Sequence, residues 1–468
     1  MGEFDYDLVV IGSGPAGHHA AILGAKLRKR VMIAERKAIV GGICVNVGTI
    51  PSKAMREAVL YLSGYREHAV YGQSYKVKEK ITLADLLMRV DPVVRHEIDV
   101  MRHQLLRNNI ELVHADAAFV DAHTLTLNFG EGRGQRNVST QFVVIATGTE
   151  ATRDPFMPDD LSCVFSSDNI LRMTELPQTL TVVGAGVIGC EYASMFAALG
   201  VRVTVVDKRP RLLPFVDAEV TEALHYHLRE KRVTLRLGEE VNNVEVIEDA
   251  AGKRVRTSLV SGKQIVTDKL LSSVGRTGAT QNLRLEAAGL AADARGRLAV
   301  NQAFQTSVGN IYAAGDVVGF PSLASTSMEQ GRYAACHAFG HETANLRALF
   351  PYGIYTIPEI SFVGKTEEEL TEQNVPYETG KAPYRELPRG QIVGDSIGFV
   401  KLLFHRESGE LLGVHLIGEG AVELVHIGQA VLALSGKVDY FVDTVFNYPT
   451  LAQCYKNAAF DGLNRIAS

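Results

Sequence analysis

Asp7-Leu8-Val9-Val10-Ile11-Gly12-Ser13-Gly14-Pro15-Ala16-Gly17 reads as a buried apolar strand running into a glycine-rich turn. A helix-like run, Ala20 to Leu27, follows, and a second apolar strand, Val31-Met32-Ile33-Ala34, ends on Glu35. Strand, G-x-G-x-x-G turn, helix, strand and acid in this order make the complete dinucleotide-binding pattern. Gly12, Gly14 and Gly17 permit the tight turn and a close approach of backbone to pyrophosphate, whose charge lies on the helix N-terminus. Glu35 is placed to accept hydrogen bonds from a ribose diol.

The pattern recurs at Leu180-Thr181-Val182-Val183, Gly184-Ala185-Gly186-Val187-Ile188-Gly189 and Val201 to Asp207. Gly184, Gly186 and Gly189 take the turn positions and Asp207 the acid position. Two such patterns predict two dinucleotides, most simply a tightly held FAD and an exchangeable nicotinamide. A carboxylate at Asp207 receives the 2′-hydroxyl of NAD and repels the 2′-phosphate of NADP. Lys208, Arg209 and Arg211 follow at once and are able to grip that phosphate. Two readings stay open: a mixed edge that accepts both NAD(H) and NADP(H), or a solvated basic turn.

A chain of 468 residues is expected to form two to four domains. Its net charge of -5 argues against nucleic acid or an anionic membrane as the main partner. No apolar run is long enough to span a bilayer, and the acidic N-terminus enters a strand too early for a signal peptide. Five scattered cysteines form neither a disulfide framework nor metal-ligand spacing, so a reducing cytoplasm and no metal are expected. His18 and His19 lack further nearby ligands and read as polar or packing positions. Lys26 to Arg30 supply the cations that suit a helix C-terminus.

Gly41-Gly42-Ile43-Cys44-Val45-Asn46-Val47-Gly48-Thr49-Ile50-Pro51-Ser52-Lys53 resembles the redox segment of the flavoprotein disulfide reductases, GGxCxNxGCxPSK. The resemblance implies an α/β fold with two nested Rossmann-like dinucleotide-binding domains and a C-terminal α+β dimerisation domain. The FAD-binding domain would be discontinuous, 1–150 and 272–347, with the NAD(P)-binding domain at 151–271 and the dimerisation domain at 348–468. Phe142 to Gly148 would be the strand leaving the first domain, and Ile311 to Asp316 the strand returning to it. Asp316 would bind the flavin's ribityl hydroxyls, or else cap the start of a loop. Lys53 would pair with Glu191 beside flavin N5, where a cation stabilises the anionic reduced ring. Arg36, Gly42, Cys44, Ala117, Gly148, Gly275 and Ala324 complete the expected cofactor contacts. The same family is dimeric and carries the 446–450 segment into the partner's flavin site.

The chain departs from that family at the groups that handle disulfides. Thr49 replaces the second cysteine, so dithiol storage is lost and Cys44 falls to a packing residue or a backbone contact with FAD. Tyr448 and Gln453 replace the histidine and glutamate of the family's base dyad, and neither is an effective base or its orienting acid at neutral pH. Tyr448 either shapes the flavin pocket or packs an interface, and Cys454 reads as a helix residue. With hydride transfer intact and thiol chemistry lost, the chain is similar to the Si-specific soluble pyridine nucleotide transhydrogenases. Gly-Thr-Ile-Pro-Ser-Lys at 48–53 and Phe-Asn-Tyr-Pro-Thr at 446–450 are its specific marks. The resemblance implies ping-pong hydride exchange between nicotinamides. A dihydrolipoamide dehydrogenase, a flavin diaphorase or oxidase, and a redox-sensing nucleotide-binding protein are the rival readings.

Overall fold

The opening strand Tyr6–Ile11 needs cover on both faces because its apolar run is unbroken, and it receives it. Leu8 and Val10 face a core with Ile33, Val144, Tyr312 and Ala334, while Val9 and Ile11 face another with Phe119, Leu127 and Ile311. The computed structural model describes residues 3–72, 74–130, 132–152, 154–249, 252–341 and 349–467. It divides into two units, Met1–Ala54 with Leu87–Arg153 and Gly275–Leu346, and Met55–Leu86 with Asp154–Val274 and Arg347–Ser468.

In the first unit, Glu111–His114, Val31–Glu35, Tyr6–Ile11, Gln135–Ile145 and Ile311–Ala313 lie side by side as a parallel sheet. The strand Gln135–Ile145 is longer than the expected Phe142 to Gly148. Its second half joins the parallel sheet, and its polar first half pairs antiparallel with Thr124–Asn128. The first helix runs Pro15–Lys26, so it starts five residues before the expected Ala20. Proline at the first helical position costs nothing, since its missing N–H would be unsatisfied there anyway. Helix Ala324–Ala338 crosses it closely; a Cβ on Gly331 would lie 2.0 Å from the Ala16 carbonyl oxygen.

The second unit holds a five-stranded parallel sheet in the order Thr234–Leu237, Arg202–Asp207, Thr179–Val183, Lys269–Ser272, Val164–Ser166. Helix Val187–Ala198 follows the central strand, with its residues from Gly189 to Phe196 buried. A five-stranded antiparallel sheet, Tyr352–Ile354, Ile360–Gly364, Leu411–Ile417, Phe399–His405, Tyr377–Pro383, carries helices Ala421–Ala433 and Gln453–Ala467. A further short helix, Glu367–Glu372, belongs to the same unit. Among the described residues no helix is long and apolar enough to cross a membrane.

Lys401 is the most buried cation of this unit. Its Nζ lies 3.0 Å from Asp217, 3.2 Å from Glu219 and 3.1 Å from Glu367, with the Lys401 and Asp217 side chains almost fully enclosed. Burial pushes the Asp217 carboxyl up and the Lys401 ammonium down, but their attraction to charged neighbours reverses both. Asp217 also caps helix Ala218–Glu230 by accepting from the Glu219 amide. Lys401→Met is therefore expected to cost about 3–5 kcal/mol, because it strands buried carboxylates without a cation. An earlier urea unfolding midpoint would measure it; an unchanged midpoint would show the cluster to be energetically neutral.

Candidate functional site

The two glycine turns have the same internal construction. Gly12 has φ +103°, and a Cβ there would lie 2.5 Å from the Ala146 oxygen; Gly184 has φ +104°, with a Cβ 2.5 Å from the Ser273 oxygen. A Cβ on Gly17 would fall 2.0 Å from the Gly12 oxygen, and one on Gly189 would fall 1.9 Å from the Gly184 oxygen. The protein's own backbone thus demands the first and third glycine of each turn. The middle glycines differ. Gly14 and Gly186 adopt extended conformations open to any residue, and a Cβ would meet nothing closer than 3.9 Å. Each opens a 12-residue helix whose first turn has no side-chain cap. Bare N–H groups beside open backbone make a cradle that suits a pyrophosphate.

Each second strand returns its acid to the turn. The Glu35 carboxylate accepts from the Ser13 amide (2.9 Å), the Ser13 hydroxyl (2.6 Å) and the Lys37 amide (2.9 Å). Asp207 accepts from the Ala185 amide (2.6 Å) and the Arg209 amide (2.8 Å). In both units the amide donor and the acid are 22 residues apart. Among the described residues only the second acid carries a guanidinium clamp, from Arg209 Nε (2.9 Å) and Nη2 (2.6 Å). Burial pushes the Asp207 carboxyl up, but Arg209 and the two amides outweigh it and hold it below its ordinary value. Arg36, by contrast, pairs with Glu150. Lys208 is exposed, 3.7 Å from Glu240. Arg211 is committed to Glu368 and to the carbonyls of Pro214 and Val216.

The segment resembling a redox motif forms two helices, Gly42–Asn46 and Thr49–Ser63. Gly42, at φ +58°, packs on Gly14 so closely that a Cβ would sit 2.9 Å from the Gly14 Cα. Cys44 is buried, and burial pushes its thiol up, away from the thiolate. Lys53 Nζ reaches the Ser52 hydroxyl at 3.3 Å. Asp316 opens a short 3₁₀ turn after the strand Ile311–Ala313. Burial pushes its carboxyl up against the opposing pull of Arg276 and a hydrogen bond from Thr149 (3.5 Å). Among the described residues the buried Thr147 hydroxyl finds no hydrogen-bond partner, and Gly148 beside it has open space where a Cβ would point. A half-buried acid and an unsatisfied hydroxyl fit a polyhydroxylated ligand such as the ribityl chain. Gly275 accepts from the Thr152 amide, Ala324 begins its helix, and Ala117 is buried in the strand Asp116–Phe119.

In the second unit, Glu191 is buried in helix Val187–Ala198 and accepts from the Tyr355 amide at 2.9 Å. Next to it the buried Tyr192 hydroxyl has no hydrogen-bond partner among the described residues. Tyr448 is exposed, and Gln453 and Cys454 begin the last helix. Sequence reasoning missed Arg56 and Glu359, a buried ion pair at 3.1 Å. The signal was present: Arg56 lies on the buried stripe of its helix with Val59, Leu60 and Ser63, where a charge needs a partner.

Comparison with known proteins accounts for nearly the whole chain. Residues 6–331 match the pyridine nucleotide-disulphide oxidoreductase family, and residues 350–459 match that family's dimerisation domain. The chain belongs to the pyridine nucleotide-disulphide oxidoreductases. A soluble pyridine nucleotide transhydrogenase of Mycobacterium bovis (strain BCG / Pasteur 1173P2) is 54% identical over 462 residues, 99% of this chain and 98% of the relative. Another, from Colwellia psychrerythraea, is 45% identical over 99% of each chain. Among solved structures, LpdA from Mycobacterium tuberculosis superposes with TM-score 0.88 at 26% identity, over 97% of this chain and 99% of that one. The HOCl-induced flavoprotein disulfide reductase RclA of Escherichia coli gives 0.86 at 26% identity, with the same coverage. This oxidoreductase therefore has the family's fold, and membership implies use of flavin and pyridine nucleotide.

Proposed function

We propose that the protein transfers hydride between NADPH/NADP and NADH/NAD through FAD, as a Si-specific soluble transhydrogenase working by a ping-pong route without a redox disulfide. Thr49 carries this reading: it stands at the position of the family's second cysteine, beside Cys44, and supplies no sulfur for a dithiol. When bound, FAD accepts a hydride at N5 from one reduced nicotinamide and yields it to an oxidised one. The chain's residues hold, charge and select. The uncapped helix at Gly14 takes the FAD pyrophosphate, Glu35 the adenosine ribose and Asp316 the ribityl hydroxyls. Lys53, paired with Glu191 as the family resemblance implies, supplies positive charge to the ring. The second turn at Gly184, Gly186 and Gly189 takes the nicotinamide dinucleotide. Asp207 suits the ribose of NAD, and Arg209 with Lys208 suits the added phosphate of NADP. Three domains, 1–150 with 272–347, 151–271 and 348–468, assembled as a cytoplasmic homodimer complete the proposal.

Anaerobic mixing of the FAD-loaded protein with NADPH and thio-NAD is expected to reduce thio-NAD catalytically. Lipoamide and oxidised glutathione, offered in parallel, should stay disulfides. Absence of thio-NAD reduction, or brisk disulfide reduction, would overturn the proposal.

A further inference from the structure

The Glu191 carboxylate is oriented by a backbone amide, so its direction depends on where the loop that owns that amide is held. The loop is Tyr355 to Glu359, between strands Tyr352–Ile354 and Ile360–Gly364. Two of its amides reach helix Val187–Ala198: Tyr355 N–H donates to Glu191 Oε1 (2.9 Å), and Ile357 N–H donates to the Ser194 hydroxyl (3.0 Å). The Ser194 hydroxyl in turn donates to the Glu191 carbonyl at 2.8 Å. Between those two amides, the Thr356 carbonyl accepts from Arg56 Nε at 3.1 Å. Arg56 Nη1 also lies 3.1 Å from the Glu359 carboxylate at the far end of the loop. Arg56 and Glu359 are both buried, and Thr356 is fully enclosed. Glu359 is itself fixed, since its carbonyl accepts from Gly418 N–H (2.8 Å) and its carboxylate from Val422 N–H (3.4 Å).

We infer that Arg56 is a positioning residue for Glu191: its guanidinium grips the 355–359 loop at Thr356 and Glu359 and thereby aims the Tyr355 amide at the Glu191 carboxylate. The inference rests on the role given to Glu191 above. A guanidinium suits the task because its planar fork bonds a carbonyl and a carboxylate at once in fixed directions; an ammonium on a flexible stem does not. Burial pushes the Glu359 carboxyl up and Arg56 opposes it, so loss of Arg56 also favours a neutral Glu359 that no longer anchors the loop. Arg56 lies one turn beyond Lys53 on the same helix, Thr49–Ser63. One helix thus carries the residue proposed to charge the flavin and the residue that aims its expected partner.

The test is a double-mutant cycle on the FAD-loaded protein, read by stopped-flow flavin reduction with NADPH, combined with hydrogen exchange over residues 352–360. Arg56→Met should slow flavin reduction by about 10- to 100-fold at saturating NADPH with KM little changed, since small misplacement of a reacting-site group has effects of that size. It should also raise exchange at the Tyr355 and Ile357 amides, in protein with and without FAD. Arg56→Lys should recover part of the rate, and Glu359→Gln should reproduce part of the loss if Arg56→Met does not fold. Arg56→Met combined with Glu191→Gln should be no slower than Glu191→Gln alone. Strictly multiplicative losses, or unchanged amide exchange in the folded Arg56 variants, would overturn the inference. If Glu191→Gln alone leaves flavin reduction unchanged, the role given to Glu191 fails instead, which the single variant shows separately.

Discussion

Gly186→Ala is expected to fold like the parent protein and to bind NADH and NADPH about 10- to 100-fold more weakly, whereas Gly189→Ala is expected to lose the fold of its unit. Both changes add one methyl group to the same turn. At Gly186 the backbone conformation is open to alanine and the methyl meets only Arg209 Nη2, 3.9 Å away. Alanine caps a helix less well than glycine, but it also lowers the entropy of the unfolded chain, and the two effects nearly cancel. Its methyl therefore costs the free protein little and occupies the space offered to the ligand; a 10- to 100-fold loss corresponds to about 1.4–2.7 kcal/mol. At Gly189 the methyl would lie 1.9 Å from the Gly184 oxygen and 2.8 Å from the Ser273 hydroxyl. Alanine's better helix propensity, about 1 kcal/mol, cannot offset a clash with backbone in a close-packed turn, where overpacking costs about 1–3 kcal/mol or more.

The first unit supplies an internal control. Gly14→Ala should yield folded protein depleted of FAD, and Gly17→Ala, with its Cβ 2.0 Å from the Gly12 oxygen, should yield little folded protein. Thermal melts, nicotinamide titrations and the flavin absorbance of purified variants measure these outcomes. Equal destabilisation by the middle-glycine and third-glycine variants would remove the evidence that the middle glycines serve a ligand.

The glycine turns were legible in the sequence because strand, turn, helix and acid are local, and each acid returns to its own turn across 22 residues. The start of the first helix was not, because Gly17 and the His18-His19 pair hide its apolar face while Pro15 sets its true beginning. The strand Gln135–Ile145 was only half legible: Gln135, Arg136 and Asn137 are exposed, so hydrophobic alternation gives no sign of the antiparallel half. Arg56 with Glu359 and Asp217 with Lys401 were invisible as pairs because their partners are joined only by the tertiary fold. Each could have been suspected singly, as a charge set in an apolar stripe or strand. Where Arg209 would point was also out of reach. The basic cluster suits a phosphate grip or a solvated turn equally, and sequence alone does not say that one of its members lies folded onto the neighbouring acid.

That placement of Arg209 gives the second large expected effect. Arg209→Ala should raise KM for NADPH by about 10- to 100-fold and leave KM for NADH within about 3-fold of the parent, or lower it. The guanidinium neutralises the Asp207 carboxylate, which would repel a 2′-phosphate, and its Nη2 lies 3.9 Å from the point above Gly186 where a Cβ would stand. It is thus at the mouth of the pyrophosphate cradle, paired with Asp207 and able to transfer its hydrogen bonds to a phosphate. A charge-assisted hydrogen bond contributes about 1.5–3 kcal/mol, which sets the size of the NADPH effect. For NADH the sign differs: removing Arg209 frees Asp207 to accept from the ribose diol, a gain that offsets the lost positive field. Asp207→Asn should do the converse, weakening NADH more than NADPH, since it removes the ribose acceptor and the repulsion together. Lys208→Ala should change either KM by less than Arg209→Ala, because its ammonium is exposed and screened by water beside Glu240. Steady-state KM values for both nucleotides in the three variants decide the matter. If Arg209→Ala weakens NADH and NADPH equally, the arginine serves the shared pyrophosphate and not the choice between nucleotides. If it weakens neither, the Asp207–Arg209 pair is a strand-end ion pair with no part in recognition.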